Sequence, residues 1–227
     1  MSEVFDLEPA FIDLYERCRE STMTSIERMF ALYSATRYVI DSGVAGDFVE
    51  CGVWRGGSVM LIALTLQSLG VRDRTIWLYD TFDGMTPPSA LDVQSMSGRS
   101  AAHVLAEHQK TTDDPFWGYA PRRIVEENVR STGYDNVRFI EGDVLKTIPE
   151  QAPQSIALLR LDTDWYESTR HELVHLYPRV TSSGVVIIDD YGYWSGARKA
   201  TDEFLDTLPA RPLLHRIDYT GRMLLVR

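Results

Sequence analysis

Short apolar runs recur along the chain, and most of them end beside an acidic residue. They occupy positions 47–52 (DFVECG), 75–80 (TIWLYD), 136–142 (NVRFIEG), 155–162 (SIALLRLD) and 184–190 (GVVIIDD). Segments with helical spacing separate most of these runs, at positions 58–69, 121–132 and 168–177. Near-continuous apolar strands that alternate with helices are typical of a parallel sheet covered on both faces.

The predicted fold class is therefore α/β, with a doubly wound, mostly parallel sheet. At the end of the chain, LLHRI and RMLLV flank the turn DYTG, which predicts a C-terminal antiparallel hairpin. We expect a single domain over residues 1–227, because no linker, repeat or low-complexity segment divides the sequence.

Two segments stand outside this alternation. Near the N-terminus, Thr24 and Glu27 form a capping-box pattern before an amphipathic helix, so we predict a helical cap over residues 1–45. The connection from Thr81 to Asp135 is too long for an ordinary crossover and contains a stretch rich in Pro, Ser and Gly. Long loops in compact domains are usually functional or disordered, so we predict a mobile lid over residues 83–120, with a short helix near 101–109.

Composition excludes several classes of protein. The net charge of −10 disfavours nucleic-acid binding, which depends on cationic contacts to phosphate. Cys18 and Cys51 are too few for a disulfide framework, and their spacing matches no zinc motif. No apolar run approaches the length that spans a membrane, and the acidic N-terminus does not resemble a signal peptide. The expected compartment is the cytoplasm.

Acidic residues mark the carboxyl ends of the predicted strands. They are Glu50, Asp80, Asp143, Asp162, Asp189 and Asp190. Any one of them could simply cap the helix that follows. Six on one edge of a parallel sheet point instead to a ligand site, because ligands bind outside the carboxyl ends of such strands.

The first strand leads into a glycine-rich turn, VECGVWRGGS, with glycines at 52, 56 and 57. It resembles a nucleotide-binding turn, but Trp54 occupies the place of the middle glycine, where backbone would approach a pyrophosphate. A cofactor without a pyrophosphate, such as S-adenosylmethionine, would tolerate this change. Asp80 is then suited to the ribose hydroxyls, and Asp143 to an adenine amino group.

Asp162 and the Asp189–Asp190 pair end two strands that a single helix separates. Adjacent parallel strands lie about 4.8 Å apart, so these carboxylates can converge on one point. Three oxygen ligands without His or Cys suit Mg²⁺, Mn²⁺ or Ca²⁺ better than zinc. Asp164, two residues beyond Asp162, would be free to act as a base.

Several motifs together resemble the macrocin O-methyltransferase family: GDFVECGVWRGGS, LYDTFDGM, LRLDTDWYEST and VVIIDDYGYWSGARKA. The resemblance implies a Rossmann-like methyltransferase that uses S-adenosylmethionine and Mg²⁺ to methylate a hydroxyl of a sugar or glycosylated natural product, and that forms a homo-oligomer. It implies metal ligands at Asp162, Asp189 and Asp190 and a catalytic base at Asp164. The implied cofactor contacts are Met23, Glu50, Gly52, Val53, Ser58, Asp80, Thr81, Phe82, Gly142, Asp143 and Asp162.

The sequence is also compatible with other functions. The same aspartates could serve a catechol-type phenolic O-methyltransferase, a Mg²⁺-dependent hydrolase or an inactive binding module. An NAD(P)-linked oxidoreductase would need GxGxxG and usually Tyr-x-x-x-Lys, whereas Tyr166 is followed by Arg170. The sequence HELVH at 171–175 matches the zinc-protease pattern, but it is predicted on a crossover helix away from the strand ends.

Overall fold

The computed structural model describes residues 6–227, so the first five residues of the predicted N-terminal cap lie outside it. Seven strands form one sheet in the order β3-β2-β1-β4-β5-β7-β6. The first five are parallel to one another, and the last two add antiparallel pairings. The fold class and the C-terminal hairpin are confirmed. The strands are β1 (Asp47–Cys51), β2 (Ile76–Asp80), β3 (Val137–Glu141), β4 (Ile156–Leu161), β5 (Val180–Ile188), β6 (His215–Arg216) and β7 (Arg222–Leu225).

Helices cover both faces of the sheet. They are α1 (Pro9–Cys18), α2 (Ile26–Asp41), α3 (Gly57–Ser68), α4 (Ala101–Ala106), α5 (Arg122–Arg130), α6 (Val144–Thr147), α7 (Tyr166–Leu176) and α8 (Ser195–Leu205). Successive strand residues point to opposite faces, which explains why the central strands are apolar throughout. Leu158 packs into the core beneath α1, α2, α3 and α5, whereas its neighbour Leu159 packs into the core beneath α7 and α8.

Three local features differ from the sequence prediction. The residue that caps α2 is Ser25 rather than Thr24, because the Ser25 hydroxyl accepts a hydrogen bond from the Arg28 amide at 3.2 Å. The strand β5 begins at Val180, four residues before the predicted run. No pattern in the sequence predicted α8, whose N-terminus follows Trp194.

The predicted lid, residues 83–120, packs against the rest of the domain. It contains α4 and a short 3-10 helix, Pro115–Trp117. Asp92 is fully buried, and its carboxylate accepts hydrogen bonds from the Ser89 amide at 2.6 Å and the Tyr166 amide at 2.8 Å. This carboxylate therefore ties the segment to the first turn of α7. The mobility of the segment stays a prediction.

Helix length, the two cysteines and the HELVH motif bear on the other classes of protein that the sequence raised. None of the helices within residues 6–227 has the length and apolar character needed to cross a membrane. Both cysteines are buried and unpaired within the described part of the chain. The HELVH motif lies on α7, where the His171 ring contacts the Ile148 carbonyl at 2.9 Å and Glu172 is buried.

Candidate active site

A cavity of about 340 Å³ opens at the carboxyl ends of the parallel strands. The strands are added to one side of β1 as far as β3 and then to its other side from β4 onward, so the strand order reverses between β1 and β4. Such switch points are the usual ligand sites of α/β sheets. The predicted site residues that line the cavity are Met23, Gly52, Val53, Ser58, Asp80, Thr81, Gly142, Asp143, Asp162, Asp164, Asp189 and Asp190. Glu50 and Phe82 do not belong to the lining that the described residues form.

The turn after β1 forms one wall of the cavity. Gly52 has a φ of +78°, and a Cβ there would lie 2.0 Å from the Asp162 carbonyl oxygen, so only glycine fits. The Asp80 carboxylate accepts hydrogen bonds from the amides of Val53 and Phe82, both at 2.7 Å. Burial raises the pKa of Asp80, and these amide donors oppose that effect. Asp80 thus shapes the turn and also faces the cavity.

Glu50 lies behind this wall. Its side chain is fully buried, accepts a hydrogen bond from the Ser58 hydroxyl, and pairs with the Arg160 guanidinium at 2.6 Å. Burial raises the pKa of Glu50 to about 7, and the charge of Arg160 opposes the rise. Ser58, which donates to Glu50, lines the cavity, whereas Glu50 is not part of the lining that the described residues form. The contact between Glu50 and the cofactor stays a prediction.

Residues that follow β2 and β3 also line the cavity. The Asp143 carboxylate accepts a hydrogen bond from the Leu145 amide at 3.0 Å, so this residue caps α6 while it also lines the cavity. The Thr81 hydroxyl donates to the Gly84 carbonyl at 2.7 Å. Met23 is about half exposed, at 47%, where it lines the cavity. Both interpretations of Asp143, helix cap and ligand contact, are compatible with this position.

Asp162, Asp189 and Asp190 form a compact group of carboxylates, in which one oxygen from each lies within 4.8 Å of the others. The Asp190 Oδ2 atom is buried and has no hydrogen-bond partner among residues 6–227. Burial raises the pKa of Asp162 to about 6 and that of Asp190 well above its usual range. A buried oxygen that lacks a partner, in a group of hard oxygen donors, fits a divalent cation such as Mg²⁺.

Asp164 lies beside this group, on the same loop as Asp162. Its backbone has a φ of +65°, which is uncommon for a residue other than glycine. The Trp194 indole N–H donates to Asp164 Oδ1 at 2.7 Å. Burial, together with the negative charge of Asp162, raises the pKa of Asp164 to about 7. A carboxyl with such a pKa can accept and release a proton near neutral pH.

The sequence analysis missed two arginines that hold these acids. Arg160 is fully buried on β4 and donates to Asp162 at 2.7 Å and to Asp189 at 2.5 Å. Arg28, on α2, pairs with Asp189 and also with Asp218 at 3.1 Å. A charged residue inside the apolar run ALLRLD was a signal for Arg160, because an arginine is rarely buried without partners. The sequence carried no comparable signal for Arg28.

Comparisons with known proteins identify the family of this chain. The family model for macrocin-O-methyltransferase (TylF) matches residues 18–224. The chain is 35% identical over 204 residues to the demethyldecarbamoylnovobiocin O-methyltransferase of Streptomyces niveus, covering 88% of this chain and 73% of that protein. It is 33% identical over 225 residues to the mycinamicin III 3''-O-methyltransferase of Micromonospora griseorubida, covering 94% and 84%.

The solved structure of the O-methyltransferase NovP has a similar fold. The two superpose with a TM-score of 0.78 at 33% sequence identity, over 91% of this chain and 82% of that one. The calicheamicin methyltransferase CalS11 superposes with a TM-score of 0.63 over 95% of this chain, but at 19% identity it supports the fold alone. Sequence and fold agree: the chain is an O-methyltransferase and belongs to the macrocin O-methyltransferase (TylF) family.

Proposed function

We propose that this enzyme transfers a methyl group from S-adenosylmethionine to a sugar hydroxyl of a glycosylated natural product, and that it requires a divalent cation. The observation that carries the proposal is the position of Asp164 beside the carboxylates of Asp162, Asp189 and Asp190. These acids line one cavity together with the glycine turn after β1 and with Asp80. The residues proposed as proton acceptor, cation ligands and cofactor contacts therefore line one cavity.

The cofactor would be held by the turn after β1 and by acids at the ends of β2 and β3. Asp80 would accept hydrogen bonds from the ribose hydroxyls, and Asp143 from the adenine amino group. Both carboxylates line the cavity, and each already accepts hydrogen bonds from backbone amides that fix its orientation. When bound, S-adenosylmethionine supplies an electrophilic methyl group on a sulfonium.

Asp162, Asp189 and Asp190 would hold the divalent cation. A cation held there would lower the pKa of a nearby hydroxyl, which matters because sugar hydroxyls are weak acids. Arg160 holds the carboxylates of Asp162 and Asp189 in place from the interior of the sheet. One oxygen of each of the three carboxylates lies within 4.8 Å of the others.

Asp164 would remove the proton from the acceptor hydroxyl. Its carboxyl lines the cavity beside the proposed cation site, and burial raises its pKa above that of an ordinary surface aspartate, which strengthens it as a base. The left-handed backbone at Asp164 is the kind of uncommon conformation that clusters at active sites. General-base catalysis of this type contributes roughly 10²- to 10⁴-fold to a rate.

The acceptor is proposed to be a glycoside that carries an apolar or aromatic group. The names of three relatives give their acceptors as demethyldecarbamoylnovobiocin, mycinamicin III and a tetracenomycin C that carries a rhamnosyl group. Met23, Phe116 and Tyr219 line the cavity while they stay 47%, 36% and 55% exposed. Large apolar side chains at a cavity opening suit a ligand whose apolar part extends beyond the buried sugar.

The proposal can be tested with a panel of acceptors and methyl-labelled S-adenosylmethionine. The panel contains the three glycosides named for the relatives, free rhamnose and catechol, each with and without EDTA. We expect label in at least one glycoside, loss of transfer with EDTA and recovery with excess Mg²⁺. Label in catechol alone would favour the phenolic O-methyltransferase instead. Full transfer by exhaustively chelated enzyme would exclude the cation.

The roles of the two aspartates on the β4–α7 loop can be separated. Asp164→Asn should lower kcat by roughly 10²- to 10⁴-fold at every Mg²⁺ concentration, because the amide cannot take the proton. Asp162→Asn should weaken cation binding, so that high Mg²⁺ restores part of its activity. Asp206→Asn, an exposed acid that pairs with Arg211, is the control and should behave as wild type. Rescue of Asp164→Asn by Mg²⁺, but not of Asp162→Asn, would reverse the two assignments.

We also propose that the enzyme is a homo-oligomer, as the resemblance to its family implies. Size-exclusion chromatography with light scattering provides the measurement. A mass near 25.8 kDa, that of one chain, would contradict the proposal.

A further inference from the structure

A hydrogen bond from Trp194 joins the two loops that carry the acidic residues of the site. The indole N–H of Trp194 donates to Asp164 Oδ1 at 2.7 Å. Asp164 follows β4 and Trp194 follows β5, so the bond links residues 30 positions apart. Trp194 is only 4% exposed, which means that water competes little for its N–H.

The Trp194 ring is itself held firmly. It packs edge-to-face against Trp165 with ring centroids 5.0 Å apart, and against Tyr193 at 5.1 Å. Its backbone bridges to Gln94, and the next amide, that of Ser195, donates to the Val93 carbonyl at 2.8 Å. The indole N–H therefore has a fixed direction relative to the sheet.

Asp164 shares its cavity with three other carboxylates, so the direction of its own oxygens matters. Asp162, Asp189 and Asp190 line the same cavity, and one oxygen from each lies within 4.8 Å of the others. A hydrogen bond to one oxygen of a carboxylate limits rotation of the group and so fixes the direction of its other oxygen. The indole N–H can only donate a hydrogen bond, so it holds Oδ1 without competing for a proton.

We propose that Trp194 is a positioning residue for Asp164: it fixes Oδ1 so that Oδ2 faces the acceptor hydroxyl. This inference rests on the proposed role of Asp164 as the base. Trp194→Phe removes the N–H and keeps an aromatic ring in the cluster. It should lower kcat by roughly 10- to 100-fold, the range for loss of a hydrogen bond to a charged group, while KM for the acceptor changes less than threefold.

Trp77 offers a matched control. Its indole N–H also donates to a carboxylate, that of Asp47 at 2.9 Å, but the pair lies at the start of β1, away from the cavity. Trp77→Phe therefore removes a bond of the same kind and should leave kcat unchanged. The acceptor is the member of the glycoside panel that is methylated fastest.

A second measurement needs no acceptor. The enzyme is labelled with ¹⁵N at its tryptophans, and the indole resonances of Trp194 and Trp77 are assigned from the two Phe variants. In Asp164→Gly, where glycine tolerates the positive φ, the Trp194 resonance should shift and its N–H should exchange faster with solvent. The Trp77 resonance should stay in place, and it should shift in Asp47→Ala instead.

The double variant Trp194→Phe/Asp164→Asn completes the test. If Trp194 acts through Asp164, the double variant should be no slower than Asp164→Asn alone, because residues that act as a unit are not additive. Additive losses, an increase in KM without a fall in kcat, or an unchanged Trp194 resonance in Asp164→Gly would each overturn the inference. Full activity in Asp164→Asn would instead overturn the proposed role of Asp164 as the base. If Asp164→Asn is slow but Trp194→Phe keeps the wild-type kcat, only the role of Trp194 is overturned.

Discussion

Arg160 on β4 donates a hydrogen bond at 2.6 Å to Glu50 on the neighbouring strand β1, and both side chains are fully buried. The same guanidinium reaches Asp162 at 2.7 Å and Asp189 at 2.5 Å. One arginine therefore joins three carboxylates from three adjacent strands. Its charge offsets part of the repulsion among them, so that the acids can share one end of the sheet.

Removal of Arg160 should destabilise the protein strongly. Arg160→Met keeps much of the side-chain volume but leaves three carboxylates without the guanidinium group that they share. Breaking a buried ion pair in this way typically costs about 3–5 kcal/mol. The free energy of unfolding, measured by urea denaturation in EDTA, should fall by that order.

The control for Arg160 is Arg19→Met. Arg19 pairs with Glu16 at 3.1 Å, but both side chains are half exposed, and such pairs contribute little to stability. We expect the free energy of unfolding to change by less than about 0.5 kcal/mol. Equal decreases in the free energy of unfolding of the two variants would show that the buried ion pairs of Arg160 stabilise the protein no more than an exposed pair does.

Asp80→Asn should weaken cofactor binding. The amide is similar in shape, but it lacks the negative charge that a ribose contact would use. Loss of a charged hydrogen-bond acceptor costs about 1.5–3 kcal/mol, or roughly tenfold to more than a hundredfold in affinity. Calorimetric titration with S-adenosylhomocysteine gives the dissociation constant. Asp83→Asn, an exposed acid three residues away that pairs with Lys110, should bind as wild type; unchanged affinity in Asp80→Asn would remove the ribose assignment.

The stability of the enzyme should depend on pH through Glu172. This carboxyl is fully buried on α7, and both of its oxygens accept from the Thr163 hydroxyl, at 3.0 and 3.1 Å. Burial raises its pKa from 4.5 to about 8. In the unfolded chain the group ionises above pH 4.5, whereas in the folded protein it stays protonated until about pH 8.

Glu172 should therefore stabilise the fold least at high pH. Its contribution is greatest below pH 4.5 and decreases by about 1.4 kcal/mol per pH unit between the two pKa values. Glu172→Gln removes this titratable group. The free energy of unfolding of the variant, relative to that of the wild type, should therefore increase as the pH rises. Urea denaturation at pH 5, 6, 7 and 8 in EDTA measures it, and a difference that is constant with pH would refute the prediction.

The lid prediction can be tested through Asp92. This buried carboxylate connects the segment to the Tyr166 amide at the start of α7. Asp92→Ala removes that connection, so amide hydrogen exchange should accelerate in residues 83–106 and remain slow in α3, which is almost entirely buried. Asp113→Ala, a highly exposed acid on the same segment, is the control. Equal exchange in the two variants would show that Asp92 does not hold the lid.

The sequence by itself determined the sheet and the location of the site. Apolar runs alternating with helical segments specified parallel strands, since only a strand covered on both faces is apolar throughout. The acids that follow those runs, such as Asp80 and Asp162, then had to lie at one edge, because parallel strands end on the same side. Only the direction of the chain in each strand decides this placement, so the sequence determines it without knowledge of any long-range contact.

Only the tertiary structure decided how those acids are paired. Glu50 and Ser58 lie on a strand and the following helix, and nothing in their spacing shows that Glu50 turns away from the cavity toward Arg160. The bond from Trp194 to Asp164 spans 30 residues and depends on how two loops pack. Hydrophobic periodicity is a local property that sets which face of a strand is buried. The partner of a buried charge is set by packing between distant segments. The pattern of residues along a single sequence therefore does not reveal which partner a buried charge has.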